Sequence, residues 1–374
     1  MYERITTESP ILLEKVEALR LELPDLFSIV DTTLDKPASG QVRFRGHFLQ
    51  DPVDCFDELR LRFERHGFTP MIRKDQDLTA LVGLPVVFKD TPSNWYINLS
   101  LFIATVLSTL YVGAGYGAET PQQALQIWRG WPFSLSLLLI LGAHELGHYF
   151  AARYHRVPVT LPYFVPLPIS FIGTMGAFIR LKGPVKNRRA LLDVGVAGPL
   201  AGLIFALPIL WYGLATSDIG PLPTSEPYAL EGNSILYSAM KVGVFGRFLP
   251  DDNNMDVQLN NVAWAGWVGL LVTGLNLIPL GQLDGGHTAY VLFGKKAKQF
   301  FLPIIIGLLA LSLLTGTTTW LVWIVLLYFL GRTHAEPLDD ITELDSRRRL
   351  IAIFTLILFF LVFVPIPLQL VQPG

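Results

Sequence analysis

The sequence predicts a polytopic α-helical membrane protein of about seven spans, with a small N-terminal α+β soluble domain. Three observations carry this. Apolar residues make up 51% of the 374 and the mean hydropathy is +0.43. Charged residues reach only 16%, against roughly a quarter in soluble domains. Long apolar runs lie beyond residue 94, while residues 1–93 hold much of the charge and no such run. A net charge of −2 excludes the basic surface of a nucleic-acid binder. A single cysteine, Cys55, excludes an intrachain disulfide framework.

Residues 1–93 are expected to form a cytoplasmic α+β domain that serves as a regulatory sensor, a substrate adaptor or an assembly module. A helix is expected from Pro10 to Leu26, and "QVRFRGHF" alternates like a strand. "DPVDCFDELRLRFERHG" has an N-cap aspartate (Asp51), a first-turn proline (Pro52) and a terminating Gly67. Its Phe56, Leu59 and Phe63 share one helical face, which Cys55 flanks as a small core residue. "FTPMIR" and "ALVGLPVVF" read as two more strands. The N-terminus lacks a signal peptide's apolar core and is too acidic for a transit peptide, so a later span is expected to direct insertion. Trp95 and Tyr96 then mark the lipid interface.

Residues 94–374 form the membrane domain. Spans are expected near 97–116, 133–153, 190–214, 262–283, 299–315, 317–331 and 349–365. Segments 152–190, 293–299 and 331–349 carry 14 Lys and Arg, while loops 117–132 and 215–261 carry 3. The positive-inside rule therefore puts the N-terminal domain and the basic loops on the cytoplasmic side. The expected location is the cell inner membrane, with a plastid membrane as the lesser alternative. "SILYSAMKVGVFGRFL" in the outer loop is expected to lie on the membrane surface. His47, His66, His155 and His334 are expected to be solvated.

Within the second span lies "HELGH". Helical residues four apart share a face, so His144 and His148 can grip one metal ion. Glu145 beside them is placed to act as general base on a water held by that metal. An ionisable side chain in a membrane core costs roughly 2.5–3.5 kcal/mol, so three in five residues demand compensation. A divalent cation supplies it.

A catalytic zinc takes three protein ligands. A metzincin's third histidine would fall at position 154, which is Tyr154. The acidic candidates in apolar segments are Asp193 and Asp284. Asp193 follows "KNRRA" and reads as a helix-start residue paired with Arg188 or Arg189. Asp284 follows Asn276, Pro279 and Gly281 in a segment where proline breaks helical hydrogen bonding and turns polar groups into a cavity. Asp284 is the favoured ligand. Gly285 and Gly286 are expected to let its backbone pack close to another helix.

"HELGH" in one span with "NLIPLGQLDGG" in a later one resembles the site-2 protease family of intramembrane zinc metalloproteases. That family pairs H-E-x-x-H with N-x-x-P-x-x-x-L-D-G, and Asn276, Pro279, Leu283, Asp284 and Gly285 fill the second pattern. "AGPLAG" (Ala197 to Gly202) is similar to its small-residue packing span. The similarity covers about residues 130–295. "SGQVRFRGHF" resembles a subgroup of bacterial and plastid members, and no PDZ-like insertion lies between the motifs.

The resemblance implies one Zn2+ per chain held by His144, His148 and Asp284, with Glu145 activating water. It implies that Asn276 orients the substrate carbonyl or its oxyanion; the plainer reading is a helix-to-helix hydrogen bond. His287 is expected to support the ligands rather than be a fourth. The four prolines between Pro158 and Pro168 exclude a regular span, and "FIGTMGAFIRL" looks like the family's membrane-associated β-hairpin. The implied substrates are single-span or other membrane proteins within the bilayer. Two rival readings use the same ligands without hydrolysis: a metal transporter or sensor, and an inactive client-binding relative.

Overall fold

The structure is a computed structural model that describes residues 10–371, except 36, 37, 39, 90, 92, 117, 119, 224–227 and 332–335. His334 lies outside the described residues.

The N-terminal part contains α1 (Pro10–Leu21), β1 (Phe27–Leu34), β2 (Val42–Phe48), α2 (Pro52–Arg65), β3 (Thr69–Asp75) and β4 (Leu78–Leu84). The strands form one antiparallel sheet in the order β1-β2-β4-β3. α2 starts where its cap predicts: the Asp51 side chain accepts from Val53 N–H. Its Phe56, Leu59 and Phe63 are fully buried against Phe44 and Leu81 of the sheet, beside buried Cys55. α1 stops five residues short of the expected end, because Pro24 cannot continue a helix. β1 was not expected. Its β-branched run Ile29, Val30, Thr32 and Thr33 signals a strand, but a bulge between Ile29 and Asp31 breaks the alternation.

The membrane part follows as α3 (Trp95–Gly115), the four-residue α4 (Pro121–Ala124), α5 (Trp131–Tyr154), the hairpin β5 (Tyr163–Leu167) and β6 (Gly173–Phe178), and α6 (Arg188–Ala215). Next come β7 (Asp218–Pro221), β8 (Tyr228–Glu231), α7 (Ile235–Phe245) and β9 (Met255–Gln258). The chain ends with α8 (Asn261–Asn276), α9 (Asp284–Phe293), α10 (Phe301–Thr315), α11 (Thr319–Leu330), α12 (Ser346–Val362) and β10 (Leu368–Val371). Two further two-stranded sheets pair β7 with β9 and β8 with β10.

Among the described residues four stretches are long and apolar enough to cross a membrane: Trp95–Gly115, Ile127–Tyr154, Arg188–Ala215 and Asp284–Thr315. The segments expected to span at 262–283, 317–331 and 349–365 appear as helices of 16, 12 and 17 residues. That is short of the ~20 residues a bilayer needs, so the count of seven goes beyond what length supports. The Trp95 and Tyr96 rings stack 4.0 Å apart on the surface at the start of α3.

The centre of the membrane part is α5 packed along α6, with α8 against both. α8 is buried along most of its length, from Ala263 to Leu275. α3 holds the hairpin from the other side. Asn98 donates to the carbonyls of Leu161 and Pro162, both at 2.9 Å, and the Phe102 ring meets Phe164 edge-on.

The segment around α7 is packed into the fold on one side, while its Ile235 and Phe248 stay exposed. Tyr237, Met240 and Lys241 of α7 are buried, and the Lys241 ammonium lies 3.3 Å from Glu231 and 3.2 Å from Asp256. A buried ammonium needs such partners, so α7 is fixed into the fold by its polar side as well as by packing.

Residues 338–339 join the two parts. Ile72 N–H of β3 donates to Leu338 O at 2.7 Å, Leu338 N–H to Val185 O at 2.9 Å, and Asp339 N–H to Lys186 O at 2.8 Å. The Leu338 side chain closes the core of the N-terminal sheet. The edge strand β3 is thereby tied to the residues that lead into α6.

Candidate metal and active site

α5 carries His144, Glu145 and His148 on its inner side, with relative exposures of 4, 5 and 6%. Asp284 reaches them from the first turn of α9. Its Oδ2 lies 3.3 Å from His144 Nε2 and its Oδ1 lies 3.3 Å from His148 Nε2. The two Nε2 atoms are 3.1 Å apart. Metal–ligand distances of about 2.0–2.1 Å put tetrahedral ligand atoms about 3.3 Å from one another. Each of these separations is close to that value, with the two histidines facing different oxygens of the Asp284 carboxylate, and one ligand atom from each residue lies within 4.8 Å of the others. They are the one group of three or more His, Cys, Asp or Glu among the described residues that fits a metal ion.

The neighbours fix the ligands. His148 Nδ1 lies 2.7 Å from Val194 O of α6. A carbonyl only accepts, so Nδ1 carries the proton and Nε2 keeps its lone pair for the ion. Directly over this ring α6 presents Gly198, where a Cβ would stand 2.1 Å from His148 Nε2. Gly198→Ala is therefore expected to displace His148 or push α6 away, weakening zinc about 10–100-fold in chelator competition. Unchanged zinc retention would show that α6 does not shape the site.

The second motif works through a turn. α8 ends at Asn276, and residues 277–283 double back so that Asp284, at the far end, returns to the same cleft. Gly281 sits at φ +52°, a backbone setting that favours glycine. A Cβ on Gly285 would collide with Leu277 O at 1.9 Å. The glycines after Asp284 thus serve the close return of α9 onto this turn, a correction to the expected packing on another helix. Asn276 Nδ2 lies 3.4 Å from His144 Nε2, so its amide reaches the metal-site atoms.

The cleft, about 240 Å³, is lined by these residues together with Ala177, Phe178 and Ile179 at the end of β6. Glu145 faces into it, and the Ile179 N–H points to its carboxylate. His287 also lines the cleft.

Asp193 is elsewhere. It pairs with Arg348 of α12 at 2.6 Å and with His155 at 2.9 Å, not with Arg188 or Arg189. Arg188 instead reaches Asp340, and Arg189 the Glu343 carbonyl. His155 is therefore paired rather than solvated, and His66 likewise meets Glu22 at 3.2 Å.

Fold and site together give a membrane-type protein in which His144, His148 and Asp284 form a largely buried group that fits a metal ion, with the Glu145 carboxylate beside it. Residues 132–314 match the family model Peptidase family M50, in keeping with the site-2 protease family that the chain's two motifs resemble. The chain is 29% identical over 358 residues to "Probable zinc metalloprotease EGY2, chloroplastic" of Oryza sativa subsp. indica, covering 91% of the chain and 64% of that relative. The Arabidopsis thaliana protein of that name is 29% identical over 387 residues, covering 96% and 68%. "Probable zinc metalloprotease EGY1, chloroplastic" of Arabidopsis thaliana is 31% identical over 239 residues, covering 63% and 43%. The chain thus spans about two-thirds of the length of the EGY2 relatives. No solved structure matches.

These relatives correct the expected location. Each carries the word chloroplastic in its name, which points to a plastid membrane and overturns the cell inner membrane as the reading. Charge asymmetry could not have shown this, because it distinguishes the two faces of a membrane and not which membrane it is.

Proposed function

We propose that the chain is an intramembrane zinc metalloprotease that hydrolyses peptide bonds in or near transmembrane segments of membrane proteins, in a membrane of plastid type. The observation that carries this is the convergence of His144, His148 and Asp284 at ligand-to-ligand distances of 3.1–3.3 Å, with Glu145 in the same cleft. Zinc held there supplies Lewis-acid polarisation of a carbonyl and makes water more acidic. Glu145 takes the proton of the attacking water and returns it to the leaving amine nitrogen. Asn276 directs its amide N–H to the oxygen that gains charge. Val194 O holds the His148 ring in register throughout. A metal transporter would need further ligating groups along a path, and among the described residues no second such group occurs.

The substrate helix must unwind before attack, and the hairpin is the surface for the unwound piece. β6 pairs with β5 on one side, and Ala177, Phe178 and Ile179 border the cleft. Phe178→Pro removes a backbone donor and is expected to lower cleavage about tenfold, the value of one lost hydrogen bond, while zinc stays. Cleavage at the parent rate would remove the hairpin from the mechanism. The charge asymmetry of the loops favours seven spans, three of them on helices shorter than a bilayer usually needs, with the N-terminal domain on the side of the basic loops. That domain has a regulatory role through residues 338–339, which connect β3 to the start of α6. The test of the reading is a cleavage assay on a membrane-protein substrate in vesicles, comparing the parent with Glu145→Gln.

A further inference from the structure

A second cavity lies away from the metal centre, between α9 and α12. It is a groove of about 560 Å³ whose wall is Val291, Leu292, Phe293, Ile353, Ile357 and Phe360. Phe293, Ile353, Ile357 and Phe360 are 43–67% exposed. Arg349 and Arg188 line its other end, with Glu343. From Arg349 to Phe360 the groove follows α12 for about 16 Å at ~1.5 Å per residue, roughly the hydrocarbon depth of one leaflet.

The three arginines at the start of α12 are not equivalent. Arg348 is engaged by Asp193 and Asp345 at 2.6 and 2.7 Å. Arg349 is exposed, and its guanidinium has no hydrogen bond or ion pair among the described residues. Asp340 answers Arg188, which leaves Glu343 as the other acid at this end. The lining carries two guanidiniums, Arg188 and the unpaired Arg349, against the one carboxylate of Glu343, and the remainder of the groove is hydrocarbon.

We infer that the α9–α12 groove binds one anionic glycerolipid, its headgroup on Arg349 and an acyl chain along Ile353, Ile357 and Phe360. A cationic end at the interface and an apolar trough of leaflet depth match a charged headgroup on an acyl chain. A transmembrane peptide would instead leave Arg349 without an anion.

The test is native mass spectrometry of the full chain in detergent, titrated with phosphatidylglycerol or with phosphatidylcholine of the same chains. Phosphatidylglycerol should be retained at about tenfold lower concentration. Arg349→Gln should erase that preference, and Ile357→Trp, which fills the trough, should weaken both lipids. A photo-crosslinking amino acid in place of Ile357 should give a lipid adduct in vesicles. Equal retention of the two lipids, a preference that survives Arg349→Gln, or a protein adduct at position 357 would each overturn the assignment.

Discussion

Glu145→Gln is expected to abolish cleavage while zinc remains bound. Glutamine keeps the size and burial of the side chain but cannot take a proton at neutral pH. General-base catalysis contributes about 10²–10⁴-fold, so cleavage in the vesicle assay should fall by at least that range. His144, His148 and Asp284 contact one another without Glu145, and the zinc content of the purified variant should match the parent. A transporter or client-binding protein would tolerate this change. Cleavage within a few-fold of the parent would remove Glu145 from the chemistry.

Asp284→Asn carries the second large effect. Replacing a carboxylate by a neutral amide removes the one negative charge among the three donors, so zinc should be lost on dialysis and cleavage with it. Asp193→Asn makes the control, because both are aspartates in apolar segments. Asp193 is held by Arg348 and His155, so its loss should lower thermal stability by about 1–3 kcal/mol and leave zinc in place. Zinc kept in Asp284→Asn and lost in Asp193→Asn would reverse the ligand assignment.

The contrast between these aspartates shows what the sequence makes legible. His144 and His148 share a face because a helix repeats every 3.6 residues, so their joint action can be read from spacing alone. The burial of α2 through Phe56, Leu59 and Phe63 is legible for the same reason. Asp284 is readable because a proline and glycines surround an acid in an apolar run. Its distance to the histidines is not, since it depends on how residues 277–283 fold back.

The partners of Asp193 are not legible in the sequence, because Arg348 lies 155 positions away, beyond any local rule. Val194 and Gly198 are illegible as parts of the site for a different reason. One acts through its carbonyl and the other through the side chain it lacks, and neither announces chemistry by residue type. The lengths of α8, α11 and α12 show the same limit: hydropathy marks apolar runs, but turns at Pro279 and Gly281 decide where α8 ends.

X-ray absorption at the zinc edge, on purified full-length protein of measured zinc content, addresses the centre most directly. One zinc per chain with nitrogen and oxygen neighbours only, two of them imidazole, is the predicted result. Folded protein that cleaves its substrate without zinc, or a spectrum with sulfur or without imidazole, would contradict it.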